Sequence, residues 1–333
     1  MTTARASHRF SRRVVLGGAL ALPLALAACG ATKTTKTNVL LDWVPNTNHT
    51  GLYVAQDRGY FGQRGLAVDI LPFPEGGSVE QLVGTGKATF GISSSEPVTK
   101  ARAEGIPIVS IAAIIQHNTS GFASLKTAKI ARPRDFEGKR YASFGSSTER
   151  PLIAKLMSAD GGDVNKVQFI ETGDSDFLTL AQQGRVDFAW IFEGVEKVDG
   201  EVRGMQLDYI PLTAWQKVVP DYYTPVFITS EAMIAKQPDH VRAFLAAVSH
   251  GYGDAITDPA GTTEIIAKAA PEANKEYLRR SQQFQSTHYR ADAARWGEQR
   301  QEVWQQFIGF MTEQKLIEKP VDAASAFTAK FLP

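Results

Sequence analysis

The stretch Ala88–Ile115, ATFGISSSEPVTKARAEGIPIVSIAAII, decides the fold of this chain. Ala88–Ser93 reads as a short apolar strand that runs into a cluster of serines. Glu96–Ala103 reads as a helix, and Ile106–Ile115 as a long β-branched strand with the most buried character in the chain. Strand, helix and strand in that order imply a parallel sheet with helices on its faces.

The alternation continues outward in both directions. Upstream, Val39–Leu41 and Leu66–Leu71 are strands; a helix covers His49–Tyr60, and Ser78 is positioned to cap another that ends at Gly84–Gly86. Downstream, Arg140–Phe144, Val167–Glu171, Val186–Ile191 and Leu207–Pro211 are strands, and helices fall at Thr148–Ala159 and Asp174–Gln183. Tyr222–Ser230 is extended. Helices then follow at Pro238–Thr257, Gly261–Ala269, Asn274–Phe284 and Ala291–Glu313. The expected architecture is α/β, with two hinged lobes. Lobe I takes residues 38–122 and 226–333, and lobe II residues 123–225. The crossings are expected near Ser120–Lys126 and Tyr222–Val226, with the C-terminal helices packed on lobe I. A ligand would sit between the lobes, at the carboxyl ends of the strands.

The first 29 residues read differently. Arg12 and Arg13 precede an uncharged, mostly apolar run from Val14 to Ala28, and Leu26-Ala27-Ala28 leads into Cys29. A basic head, a short apolar stretch and small residues make an export signal over residues 1–29. The ending resembles a lipobox, which implies lipid attachment at Cys29, and the paired arginines resemble a Tat-type signal. Cys29 is the chain's one cysteine, so it has no disulfide partner within it. Residues 30–37 are small and polar and read as a flexible tether. The expected location is the outer face of the cytoplasmic membrane, held by lipid at Cys29.

Composition is ordinary for a globular protein, at 43% hydrophobic and 21% charged. The formal charge is +1, but residues 1–29 hold four arginines and no acid, leaving 32 basic against 35 acidic residues beyond them. That balance argues against a nucleic-acid partner. Enzyme signatures are thin: there is no Gly-x-Ser-x-Gly elbow and no His-Glu-x-x-His pair. The six histidines have no metal-ligand spacing, and no catalytic residue, cofactor or metal is expected.

Three segments carry a family resemblance: Leu41-Asp42-Trp43-Val44-Pro45-Asn46-Thr47-Asn48-His49-Thr50-Gly51, Phe188-Ala189-Trp190-Ile191-Phe192-Glu193-Gly194, and Asp221-Tyr222-Tyr223-Thr224-Pro225-Val226. Together they resemble the NMT1/THI5-like solute-binding proteins, and within them those that bind pyrimidine precursors of thiamine such as formylaminopyrimidine. The resemblance implies a type II periplasmic-binding-protein fold, an ABC permease as membrane partner, a small heterocyclic ligand and a monomer. The same superfamily includes a pyrimidine-synthesising enzyme with a cysteine-rich motif and a lysine that holds pyridoxal phosphate. This chain has no cysteine beyond Cys29, which removes that reading's main support. Riboflavin, an aromatic sulfonate or a nitrate-like anion are alternative solutes.

The residues themselves suit a flat, nitrogen-rich ring. Trp43 follows a strand and could stack on it, with Tyr222 and Tyr223 approaching from the opposite side. Glu193 could accept from an exocyclic amine, and Asn46, Asn48 and His49 offer mixed donors and acceptors. Tyr53 and Ser94 complete the expected set. Gly145-Ser146-Ser147 opens a helix whose N–H groups could hold an anion. Each has a structural alternative: Trp43, His49 and one of the two tyrosines in the core, Asn46 and Asn48 as turn residues, and Glu193 as a first-turn acid.

Overall fold

The computed structural model describes residues 34–333, apart from Glu75 and Asp174. The expected export signal, Cys29 and the first half of the expected tether lie outside the described residues.

Lobe I is built on a sheet of β1 (Thr35–Leu40), β2 (Leu66–Leu71), β3 (Phe90–Ser93), β4 (Ile108–Ala113) and β10 (Val226–Ser230), in the order β2-β1-β3-β10-β4. Lobe II is built on β5 (Ser120–Leu125), β6 (Arg140–Ser143), β7 (Gln168–Glu171), β8 (Phe188–Phe192) and β9 (Leu207–Pro211), in the order β7-β6-β8-β5-β9. The two orders correspond strand for strand. In each, the antiparallel strand that ends an interlobe crossing sits between the third and fourth of the others.

This arrangement corrects several expectations. Ser120–Leu125 is not a crossing but strand β5, paired with β8 and β9. Lobe II therefore starts at Ser120 rather than at 123, and the crossing is the segment 114–119. Each sheet is mixed rather than purely parallel. The tether gives way at Thr35, because Thr35–Thr37 pair with Leu66–Val68 as the start of β1.

The helices of lobe I are α1 (Thr50–Asp57), α2 (Tyr60–Gln63), α3 (Val79–Gly84) and α4 (Ser95–Ala103). Those of lobe II are α5 (Glu149–Ala159), α6 (Phe177–Gln182) and α7 (Val198–Val202). After β10 come α8 (Glu231–Lys236), α9 (Pro238–Thr257), α10 (Pro259–Ala269), α11 (Lys275–His288), α12 (Gln301–Glu313) and α13 (Ala323–Ala326). None of these helices is long and apolar enough to cross a membrane. The last long helix starts at Gln301 instead of Ala291, since Ala291 takes a positive φ of 44° and breaks the helical path.

Helix α9 returns to lobe I as expected. Its Val241, Phe244, Leu245 and Val248 join Val39, Leu52, Phe90 and Phe227 in one apolar cluster. Phe244 stacks on Phe90 with centroids 3.9 Å apart. Gly51 of α1 and Gly251 of α9 let the two helices touch backbone to backbone, since a Cβ on Gly251 would run into the Gly51 carbonyl. Helix α12 serves both lobes. Trp304 and Ile308 pack with lobe I residues, whereas Phe307, Phe310 and Met311 pack with Phe122, Tyr141 and Ile210 of lobe II.

His117 fastens the hinge. Its Nδ1 lies 2.6 Å from Asp221 on the return crossing, and its Nε2 lies 2.9 Å from Asp292 in the turn before α12. The other Asp221 oxygen accepts the N–H of Asn118 at 2.9 Å and that of Tyr222 at 3.0 Å. One ion triad therefore joins both crossings and the C-terminal section. The Asp221 carboxylate is the largest influence on the His117 imidazole, which is pushed up to about 9.

Candidate functional site

The carboxyl ends of the parallel strands in the two sheets face each other. After β1, Thr47 and Asn48 approach Gly194, which follows β8, through α11. After β3, α4 meets the loop 145–148, which follows β6. The candidate site is the space these edges bound.

The first motif is anchored from within. Asn46 caps the turn that follows, accepting the Asn48 N–H at 2.9 Å. His49 is fully buried, with Nδ1 accepting the Asn46 N–H at 3.3 Å and Nε2 lying 2.8 Å from Asp42. Both ring nitrogens are thereby occupied, and His49 holds the loop rather than meeting a ligand. Asn48 Oδ1 accepts from Gln285 at 2.6 Å, and its carbonyl accepts the Tyr252 hydroxyl at 2.7 Å. These asparagines take the structural roles open to them from sequence. Tyr53 is half-buried against the lobe I core, and burial raises its hydroxyl pKa.

Sequence reasoning placed a helix at Asn274–Phe284 but missed the role of α11, which ties the two long motifs together. Ser281 bonds the Thr47 hydroxyl at 2.6 Å and also donates to the Gly194 carbonyl. Gln285, one turn on, bonds Asn48 and lies over Gly194, where a Cβ would come 2.8 Å from its Nε2. The sequence did hold a signal. The buried face of α11 is Leu278, Ser281, Gln282, Gln285 and Ser286, so a helix short of apolar residues packs through polar ones.

Tyr222 and Tyr223 are corrected from cleft to core. Tyr222 is 4% exposed and stacks on Phe307 at 4.2 Å. Tyr223 is 1% exposed, and its hydroxyl accepts the Arg300 N–H at 2.8 Å. Two adjacent residues can both be buried here because α12 meets both, Phe307 stacking on Tyr222 and the Trp304 ring centroid lying 6.3 Å from that of Tyr223, while the Tyr223 carbonyl accepts the Ser95 N–H at 2.9 Å.

The helix start at 145–149 already holds an anion. Glu149, 1% exposed, turns its carboxylate back to accept the N–H of Phe144 at 3.2 Å and of Ser146 at 2.5 Å. Gly145 N–H goes to Ser143 and Thr148 N–H to Ser146, both at 3.2 Å. The backbone donors read from Gly145-Ser146-Ser147 are thus largely spent within the chain. Ser94 stands at the cleft end of β3, half-buried, and makes no side-chain cap bond to α4.

Glu193 opens a π-helical turn, Glu193–Lys197, at the end of β8. Its N–H donates to the Thr119 carbonyl at 2.9 Å, and its carboxylate lies 3.1 Å from Lys197 with 30% of the side chain exposed. The Tyr209 hydroxyl shares the Thr119 carbonyl at 2.7 Å. Nearby, desolvation raises the Glu196 carboxyl, opposed by the Phe192 N–H it accepts at 2.9 Å.

Trp43 is 41% exposed, not core. Among the described residues, the large hydrophobic side chains left exposed are Trp43, Val44, Phe73, Phe144 and Ile170. All five lie in or just beyond the carboxyl-terminal halves of β1, β2, β6 and β7. Trp43 and Phe73 pair in lobe I with centroids 6.2 Å apart, and Phe144 pairs with Trp190 in lobe II at 6.1 Å. Phe73 and Phe144 went unread in the sequence as site residues, although Phe144 directly follows β6 and Phe73 lies two residues beyond β2, at the carboxyl edge where open α/β sheets bind ligands.

With this geometry in view, the sequence comparisons identify the family. The chain belongs to the NMT1/THI5-like family, whose sequence model matches residues 46–262. A formylaminopyrimidine-binding protein of Halalkalibacterium halodurans is 27% identical over 297 residues, covering 87% of this chain and 89% of that protein. A 4-amino-5-hydroxymethyl-2-methylpyrimidine phosphate synthase of Legionella pneumophila is 23% identical over 314 residues, covering 90% and 92%. Among solved structures, the aliphatic sulphonate binding protein SsuA of Escherichia coli superposes with TM-score 0.69 at 16% identity, covering 87% of this chain and 96% of that one. A Candida albicans protein described as having the generic periplasmic binding protein fold gives 0.63 at 15% identity, over 90% and 98%. The fold is that of the two-lobe periplasmic binding proteins.

Proposed function

We propose that this chain is an extracytoplasmic solute-binding protein of an ABC importer, held to the membrane by lipid at Cys29, and that it binds a thiamine pyrimidine precursor such as formylaminopyrimidine or hydroxymethylpyrimidine between its lobes. The observation that carries the reading is the aromatic rim: exposed Trp43 and Phe73 on one lobe, and on the other exposed Phe144, backed by the part-buried Trp190. Exposed aromatics cost free energy in water, and their confinement to the ends of these strands suits a flat ring gripped from both sides. Stacking on such rings contributes ~0.5–1.5 kcal/mol per pair beyond burial. Glu193, part-engaged by Lys197 at the end of β8 with 30% of its side chain exposed, is the proposed acceptor for a ring amine.

Binding rather than catalysis is favoured by the named function of the Halalkalibacterium relative, and by a sequence whose one cysteine lies in the export signal. Calorimetric titration with formylaminopyrimidine, hydroxymethylpyrimidine and thiamine tests the reading. At least one pyrimidine should bind and be recovered unchanged, and Trp43→Ala and Phe144→Ala should each weaken it by roughly tenfold. Failure of wild type to bind any of the three would move the ligand to riboflavin, an aromatic sulfonate or a nitrate-like anion. Recovery of a converted product would favour an enzyme.

A further inference from the structure

Helix α4 of lobe I meets the loop before α5 of lobe II through side chains alone. Lys100 Nζ donates to Thr148 Oγ1 at 2.7 Å and to Ser147 Oγ at 3.0 Å, and lies 2.8 Å from Glu96. Ser146 Oγ donates to the same Glu96 oxygen at 3.3 Å, and Thr148 Oγ1 bonds it as well. Thr148 is 1% exposed, and the Glu96 and Lys100 side chains keep 15% and 24% of their surface. An ion pair sharing hydroxyls in such partial shelter is stronger than one fully in water.

These bonds are not needed to build either lobe. Glu149 already serves the start of α5, and Thr148 makes no side-chain cap bond there. Ser94 likewise leaves the start of α4 uncapped by side chain. Breaking the cluster therefore acts on the approach of the two lobes. The loop it grips begins one residue after Phe144, so the cluster also fixes how far that ring stands from the rim of lobe I.

We propose that Glu96 and Lys100 are positioning residues for binding: they latch the Ser146–Thr148 loop to lobe I and set the closed population without touching the solute. The affinity arm of the test rests on the binding role proposed above, whereas the scattering arm does not. Apparent affinity scales with the fraction of protein in the binding-competent form, so a weakened latch lowers affinity for every solute by one common factor. Losing a charge-assisted bond of this kind shifts closure by about tenfold.

Lys100→Met and Thr148→Val should each raise Kd for formylaminopyrimidine and for hydroxymethylpyrimidine by the same factor, roughly three- to tenfold, chiefly through faster dissociation. The double variant should be little worse than the stronger single one, because both remove the same contact. Lys100→Arg should restore most of the loss. Small-angle scattering of the ligand-free proteins should give a larger radius of gyration for Lys100→Met than for wild type. Unequal factors for the two pyrimidines would overturn the proposal, by making these side chains solute contacts. Unchanged Kd and unchanged scattering would overturn it outright. If wild type binds neither pyrimidine, the functional reading falls, and the scattering comparison alone decides the latch. Should Thr148→Val fail to fold, Lys100→Met, at a partly exposed position, carries the test.

Discussion

Replacing His117 with Gln removes the charge from the triad that joins both crossings to the C-terminal section, and its effect on stability must depend on pH. The imidazole's folded pKa is about 9 against an ordinary 6.5. Between those values the native state binds more protons than the unfolded state, so stability falls as pH rises through that window. The contribution is complete below about pH 6.5 and lost above about pH 9. At ~1.4 kcal/mol per pKa unit the shift corresponds to an upper bound of about 3 kcal/mol. The His117 side chain is 33% exposed and that of Asp292 69%, so solvent screening reduces this to about 1–2 kcal/mol. In a protein of this size that is a few degrees in melting temperature. Thermal melts of wild type and His117→Gln from about pH 6 to 10, at low and high salt, measure it. Tyrosines and lysines that titrate at the upper end cancel in the difference. The gap between the two proteins should be widest near pH 6.5, shrink by about pH 10 and narrow in high salt. Parallel stability profiles across the range would refute the linkage and leave the triad as packing alone.

Three further outcomes follow from other parts of the molecule. Glu149→Gln keeps the shape of the α5 start but removes the carboxylate that accepts the Phe144 and Ser146 N–H groups, so denaturant unfolding should show a loss of roughly 1–3 kcal/mol. Gly251→Ala drives a methyl into the Gly51 carbonyl and should cost about 1–3 kcal/mol or prevent soluble expression, whereas Gly253→Ala, with open space around its Cα, should be near neutral. Cys29→Ser should move the protein from the membrane fraction to the soluble fraction with no change in solute affinity; a variant that still pellets fully with membranes would remove the lipid anchor from the reading.

Much of the lobe architecture was legible because it rests on local signals. Most of the parallel strands carry at least a short apolar core, such as Val39-Leu40 and Phe90-Gly91-Ile92, with a helix following, and this pattern survives without knowledge of the partners. Strand β5 escaped for a physical reason. Ser120-Gly121-Phe122-Ala123-Ser124 is buried on both faces, yet it is made of small and polar residues. Its Gly121 has no side chain because the Tyr209 ring and the Ile210 carbonyl lie where one would go. A strand selected for the closeness of its neighbours carries little hydrophobic periodicity. Helix α11 was read as a helix, but its role was not, since a polar buried face looks in sequence like a solvated one.

The candidate site divides along the same line. The exposure of Trp43 was legible because an indole just beyond a strand has few structural reasons to stand at a sheet edge, and it is 41% exposed. Asn46, Asn48 and His49 misled because the chemistry that suits a heterocycle also suits a loop that must be held rigid. A histidine with one nitrogen accepting a backbone N–H and the other against Asp42 uses the same donor and acceptor pattern that a ligand would. The serine loop misled in the same way, since an N-terminus that attracts a foreign anion attracts the chain's own Glu149 just as well. What separates the two uses is whether a polar atom's partner belongs to the chain, and that is decided by tertiary placement. On this criterion the polar groups of the first motif belong to the scaffold. In the proposed reading, the exposed rings of Trp43, Phe73 and Phe144, with the part-engaged Glu193, serve as the working surface. Recognition should therefore depend more on ring shape and stacking than on a dense hydrogen-bond code. The expected signature is tolerance of different substituents on one ring scaffold, with a sharp loss when the ring is made non-planar. Titration with a planar pyrimidine and its saturated analogue decides this, and equal affinity for both would mean that the rings are not the grip.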